Sequence, residues 1–318
     1  MHFTSLLPFL VAAALKATLW AAAWLGAAHA LPPSQASARR SLCLLGVWGL
    51  GVVPWLSLDA ASVGTAAAHP LVIALGTAST GYGWTILASL WAVGSCLAAA
   101  RAWRQWRAIR WLMDDALPCA RNVGALRIDV RTSNLIASPC IVGFWQATVL
   151  VPADAEQWSE TQWLAALRHE QRHAEQHDAF HRIACAIVRV LWWWHPLALG
   201  VCGRYEVESE LCCDNAALTA CSGQAYGEML LGLATDAILP VPTFAQRSTL
   251  RERLERLLNP QPTTRLSRAA RWLLAGLCAS GCVWLVLAVR SDLPDATLSE
   301  ALRAEAVLRL SAQPFPQP

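Results

Sequence analysis

Lysine is almost absent from this chain. Of its 25 basic residues only Lys16 is a lysine, and the stretch from Asp59 to Tyr82 has neither lysine nor arginine. Charged residues are 15% of the 318, with a formal net charge of +3, and no basic patch with interleaved aromatics occurs. Nothing therefore points to direct nucleic-acid binding. No Cys-x-x-Cys pair occurs among the 11 cysteines, so a thiolate metal site is not indicated. None of them falls in 59–82 or 291–318, and a disulfide framework is not expected. The adjacent Cys212 and Cys213 read as small buried side chains. Internal repeats and low-complexity tracts are also missing, which excludes a solenoid.

Apolar length is what the chain has in excess. Hydrophobic residues make up 55% of it and gather into a few long blocks. Four blocks approach the about 20 residues of a membrane span: Leu6 to Ala28, Leu42 to Leu58, Gly83 to Trp103 and Trp272 to Val289. Several of the 17 tryptophans flank these blocks, as interfacial aromatics do. A fifth stretch, Ile183 to Val201, contains Arg189 and His195-Pro196, and reads as a helix packed on the protein or lying at the interface. Arg39 and Arg40 follow the first block. Arg101, Arg104, Arg107 and Arg110 follow the third, and Arg265, Arg268 and Arg271 precede the fourth. Lys and Arg in short loops favour the cytoplasmic side. The expected topology thus has an external N-terminus, three spans within 1–103, a cytoplasmic region over 104–270, a fourth span over 271–290 and an external tail, 291–318. Ala28-His29-Ala30 resembles a signal-peptidase site. The run before it lacks a positive start and is too long, so it is expected to remain a span.

Within 104–270 the periodicity changes. Ala102 to Met113 continues the third block as an Arg- and Trp-rich helix that Asp114-Asp115 and Pro118 stop. Arg127 to Arg131 and Thr148 to Val151 alternate and predict strands, joined through Ser138-Pro139 and Gly143. They form a small sheet, whose edge could pair with an extended peptide. A helix follows from Trp158, with Ser159 as cap, Gln162 three residues on, and Trp163, Leu164 and Leu167 on its apolar side. Further helices are expected from Arg204 to Ala220, ended by Gly223, and from Leu250 to Leu258, stopped by Asn259-Pro260.

His169-Glu170-Gln171-Arg172-His173 is the most informative stretch. On a helix, residues four apart share a face, so two imidazoles can hold one zinc ion while Glu170 points toward the open position. Chance alone produces such a HExxH in about one chain in a hundred of this composition, so its surroundings must decide. A catalytic zinc takes three protein ligands and keeps a fourth position for water. Glu206, Glu210 and Asp214 recur at four-residue spacing on one later helix, and such a stripe repels itself unless a cation lies against it. Glu210 is the favoured third ligand. His177 and His181 continue the spacing from His173; either could be a ligand in another arrangement, but both read as surface or interfacial residues. Asp178 could orient a ligand imidazole or cap a helix. His195 before a proline marks a helix break, with a role near the substrate carbonyl as the alternative.

Taken together, Arg168 to His173, Asp178, Trp193-Trp194-His195-Pro196-Leu197 and Glu210-Leu211-Cys212-Cys213-Asp214 resemble the BlaR/MecR-type integral-membrane metallopeptidases. Ser138 to Gly143, Val151-Pro152, Tyr226, Leu230 and the Arg253-to-Leu258 helix fit the same pattern, which extends over about 5–290. The resemblance implies a mainly α membrane protein with four transmembrane helices and a cytoplasmic α+β gluzincin-like peptidase domain between spans three and four. It implies Zn2+ on His169, His173 and Glu210, Glu170 as the catalytic carboxylate, and Asp214 in support. It also implies a multi-pass protein of the bacterial inner membrane. Its substrate would be a cytoplasmic protein, which in signalling members of the family is a DNA-binding repressor. This sequence departs from the best-known members in having only about 28 residues after span four and no Ser-x-x-Lys, so covalent β-lactam sensing is not expected. Two alternatives remain at this point. One is a membrane gluzincin for quality control or CAAX-type processing. The other is a non-catalytic receptor or scaffold that retains zinc, against which the intact Glu170 argues.

Overall fold

The computed structural model describes residues 6–62, 83–121, 128–143, 147–235 and 243–259. The chain divides into two compact units, one of Met1–Ala17, Val52–Ala88 and Leu266–Pro318, the other of Thr18–Gly51 and Ser89–Arg265. The described residues of the first unit are helical. The second unit holds the sheet and the HExxH segment.

Three long helices come first: α1 (Leu6–Ala30), α2 (Ala36–Ser62) and α3 (Gly83–Asp115). The Trp20 indole of α1 donates to Gly46 O of α2 at 3.1 Å, and a Cβ on Gly49 would overlap that ring. Glycine is required there by the close approach of an indole to backbone. Among the described residues one helix is long and apolar enough to cross a membrane, Thr85–Asp115, and its Leu90, Val93 and Leu97 are exposed. It runs unbroken to Asp115, as the Arg- and Trp-rich continuation predicts. The expected fourth span, Trp272 to Val289, lies outside the described residues.

A small sheet follows, from β1 (Leu117–Pro118), β2 (Asp129–Ser133), β3 (Cys140–Val142) and β4 (Thr148–Pro152), in the spatial order β1-β2-β4-β3. β2 and β4 are parallel in the register Val130↔Val149, and β3 runs antiparallel to β4. Alternation decides what each face covers. Val130, Val149 and Val151 pack with Ala155, Trp163 and Leu167, whereas Leu150 joins Ala116, Val142 and the end of α3. β3 lies at one edge of the sheet, and Gly143 just beyond it has φ 96°, a conformation that favours glycine.

Five helices complete the unit: α4 (Glu160–Glu175), α5 (Asp178–Leu191), α6 (Pro196–Ala217), α7 (Gly223–Thr235) and α8 (Thr243–Leu258). Ser159 and Gln162 form the expected capping box at the start of α4. The Ile183–Val201 stretch is two helices, not one. α5 ends at Leu191, and His195 caps α6 by accepting from Ala198 N at 3.2 Å, with Pro196 as the first helical residue. α6 therefore begins eight residues before the expected Arg204. Gly223 opens α7 instead of closing α6, because Ser222 Oγ accepts from Ala225 N at 3.3 Å. α8 likewise starts at Thr243, ahead of Leu250.

Candidate metal centre

The most extensive helix packing joins α4 to α6, and the small Ala165, Ala166 and Ala217 lie in the core beside it. On α4, the Nε2 atoms of His169 and His173 are 3.2 Å apart. α6 sets Glu210 against them, with Oε2 3.5 Å from His169 Nε2 and Oε1 3.6 Å from His173 Nε2. One donor atom from each of the three residues lies within 4.8 Å of the others. Both histidines are buried, while Glu210 keeps 21% of its side-chain surface, so the cluster is reachable from outside.

Hydrogen bonds on the far side of each ring define the tautomers. His173 Nδ1–H donates to Asp178 Oδ2 at 2.7 Å. His169 Nδ1–H is shared by Tyr226 Oη at 3.0 Å and Asp214 Oδ1 at 3.2 Å. A carboxylate only accepts, so each Nδ1 carries the proton and each Nε2 presents a lone pair to the other and to Glu210. Such an arrangement repels itself unless a cation or a proton lies inside it. Zinc fits: Zn–N bonds of about 2.0–2.1 Å in tetrahedral geometry put two ligand nitrogens about 3.3 Å apart.

The electrostatics agree. Burial pulls the His169 imidazole down, but its hydrogen bonds to Asp214 and Glu210 overcome this and raise it to about 9. Burial pushes Glu210 and Asp214 up, yet the Arg253 guanidinium and His169 hold both below their ordinary values. Arg253 Nε and Nη2 reach Asp214 at 2.8 and 2.6 Å, and Nη1 lies 3.2 Å from Glu210 Oε2. Arg182 Nη2 reaches Glu210 Oε1 at 3.1 Å. Asp178 is fully buried, and bonds from His173, Ser209 and Arg40 hold it far below the usual carboxylate range against the effect of burial.

Glu170 is buried on the same helix and has no hydrogen bond or ion pair to any described residue. It stands near the β3 edge, where burial and the Glu170 charge push the Cys140 thiol up to about 12. The remaining sequence candidates are placed elsewhere. Glu206 forms a two-ended pair with Arg189 at 2.7 and 2.8 Å. His195 spends one ring nitrogen on the α6 cap and the other on Thr18 Oγ1 at 2.9 Å, so it is not among the converging donors. His177 is exposed in the turn between α4 and α5, with φ 52°. The His181 ring packs edge-on against Tyr205 and Trp48. Sequence reading missed Arg40, Tyr205 and Ser209 on Asp178 and Arg182 on Glu210. It placed Tyr226 and Arg253 in the family pattern without their partners. No local spacing links these residues to the histidines.

Comparison with known proteins agrees with this geometry. Residues 47–257 match the sequence profile of the BlaR1 peptidase M56 family. The chain belongs to that family. It is also 23% identical over 152 residues to Regulatory protein BlaR1 of Bacillus licheniformis. That match covers 45% of this chain and 25% of the relative, so the chain spans about a quarter of the length of the protein it resembles. The matched residues run from within α2 to the last turn of α8 and include His169, Glu170, His173 and Glu210.

Proposed function

We propose that this M56 chain is a membrane-embedded zinc endopeptidase that cleaves a cytoplasmic protein in signal transduction, with a DNA-binding repressor as the substrate class. The observation that carries this reading is the convergence of two imidazole lone pairs and one carboxylate beside an unpaired, buried Glu170. His169, His173 and Glu210 would hold the metal. Zinc bound there supplies Lewis-acid polarisation of the scissile carbonyl and makes water more acidic. Glu170 takes the water's proton and returns it to the leaving amine. Asp178, Asp214 and Tyr226 keep the two ligand rings in the tautomer that offers Nε2. The β3 edge beside Glu170 offers main-chain groups to an extended peptide. The regulatory name of the Bacillus relative supports a signalling role. Four spans, with 104–270 on the cytoplasmic side, complete the reading.

Glu170→Ala tests it. The variant should retain zinc, measured by metal analysis of the purified chain, and lose turnover. In cells, the substrate should accumulate at full length relative to wild type when cytoplasmic and membrane proteomes are compared. Undiminished cleavage by Glu170→Ala would remove the mechanism. Broad accumulation of damaged membrane proteins, in place of one regulator, would favour quality control.

A further inference from the structure

The chain between α1 and α3 contributes to the metal centre through one residue that no zinc-peptidase spacing predicts. Arg40 lies near the start of α2, yet only 8% of it is exposed. Its Nη2 donates to Asp178 Oδ1, to Gln176 O at 3.1 Å and to Tyr205 Oη at 3.3 Å. Its guanidinium carbon also stands 5.4 Å from the centre of the Tyr205 ring. Gln176 closes the C-terminus of α4, Asp178 opens α5 and Tyr205 belongs to α6. One guanidinium therefore binds the ends of the two helices joined by the turn after the HExxH segment, and also the helix that carries Glu210.

Asp178 is the junction. It accepts from Arg40, from Tyr205 Oη at 2.7 Å and from Ser209 Oγ, and it holds His173 Nδ1 at 2.7 Å. The turn that delivers it runs through His177 in the left-handed region, a conformation unfavourable for a side chain with a Cβ. The carbonyl of Gln176 at this turn is satisfied by Arg40. A buried carboxylate facing a ligand imidazole from behind fixes both the ring's direction and its proton. Removing its arginine partner leaves that carboxylate a buried charge without the guanidinium that neutralises it, held only by Tyr205, Ser209 and the His173 ring itself.

We propose that Arg40 is a positioning residue of the metal centre, acting through Asp178 on His173 and thereby tying the α1–α2 segment to the competence of the site. A shift of the start of α2 would release Asp178 and misalign His173, so the N-terminal helices exert control on metal affinity. This inference rests on His169, His173 and Glu210 binding zinc.

The test uses the full chain in lipid nanodiscs, with zinc affinity read by chelator competition and geometry by the visible absorption of the Co2+-loaded protein. His169→Ala is the control for the underlying reading: if it binds zinc as wild type does, that reading fails and Arg40 is not at issue. Given a control that loses zinc, Arg40→Met should weaken zinc binding by about 10–100-fold and shift the Co2+ bands. Arg40→Lys, which keeps the charge, should recover part of the affinity. Asp178→Asn should show a loss of similar size, and adding Arg40→Met to it should cost little more, because both act along one path. Wild-type affinity and unchanged Co2+ bands in Arg40→Met would overturn the proposal. So would full additivity of the two substitutions. Should Arg40→Met not fold, Arg40→Gln decides, since wild-type zinc affinity and unchanged Co2+ bands in that variant would equally reject a positioning role.

Discussion

At the scale of single residues, three carboxylates on one stripe of α6 meet three different fates. Glu206 is neutralised by Arg189, Glu210 faces both Nε2 atoms, and Asp214 stands behind His169 with Arg253. Glu210→Ala should therefore lower zinc affinity by more than the about 10–100-fold expected of Asp214→Ala, and Glu206→Ala should leave it unchanged. Equilibrium titration with a competing chelator separates the three. A reversed order of Glu206 and Glu210 would contradict the assignment. With zinc bound as proposed, the proton would compete with it at His169, whose value is raised from 6.5 to about 9. Apparent zinc affinity should rise with pH, by up to about tenfold per unit, and level off near that value. The sign for the metal-free chain is opposite. A group whose folded value lies above its unfolded one stabilises fully below about 6.5 and loses that contribution as pH rises through about 9. Melting temperatures of the metal-free protein over that window should fall, and a rise would show that the Asp214–His169 contact is not made.

Among the elements, α4 was the most legible. Its apolar spacing, the Ser159 cap with Gln162, and the one-turn separation of His169 and His173 all depend on contacts within a few residues, and each appears in the helix as expected. Ser159→Ala should cost about 1 kcal/mol of stability. Trp163→Ala, which opens a hole between α4 and the sheet, should cost about 3–5 kcal/mol. Denaturant melts rank the two, and equal costs would mean Trp163 does not hold the sheet to the helix. His177→Gly should leave zinc binding intact and hold or slightly raise stability, since glycine tolerates φ 52° without penalty. Loss of zinc in that variant would revive His177 as a ligand. The break at His195-Pro196 was legible as a break. The true start of α6 was not, because Arg204 looked like a boundary while Pro196, an early-helix residue, begins the helix eight positions before it.

For the whole molecule, the M56 profile joins the later part of α2 and all of α3 to the helices of the candidate site in one continuous match from residue 47 to 257. The proposed cytoplasmic placement of the site rests on the arginine clusters after α1 and along the end of α3, read by the positive-inside rule. Reporter fusions should read external near residue 70 and cytoplasmic near residue 120. The opposite pattern would put the site outside and exclude a cytoplasmic substrate. The arginines also show why charge counting alone was uninformative. Arg39 pairs with the fully buried Glu208 at 2.7 Å, and Arg204 and Glu252 extend that network at 2.8 Å, so these charges bind the helices of the chain to each other.

The order of residues by itself determined the helix that bears His169, Glu170 and His173, its cap, and a stripe of acids on a later helix, because those features follow from spacing along one chain segment. Which acid meets the imidazoles was settled only by the rotation of α6 against α4, a property of how side chains pack between two helices. The same holds for Arg40, Tyr226 and Arg253. Their partners lie 138, 12 and 39 residues away in sequence, and no local period encodes a contact that exists only once distant helices have docked.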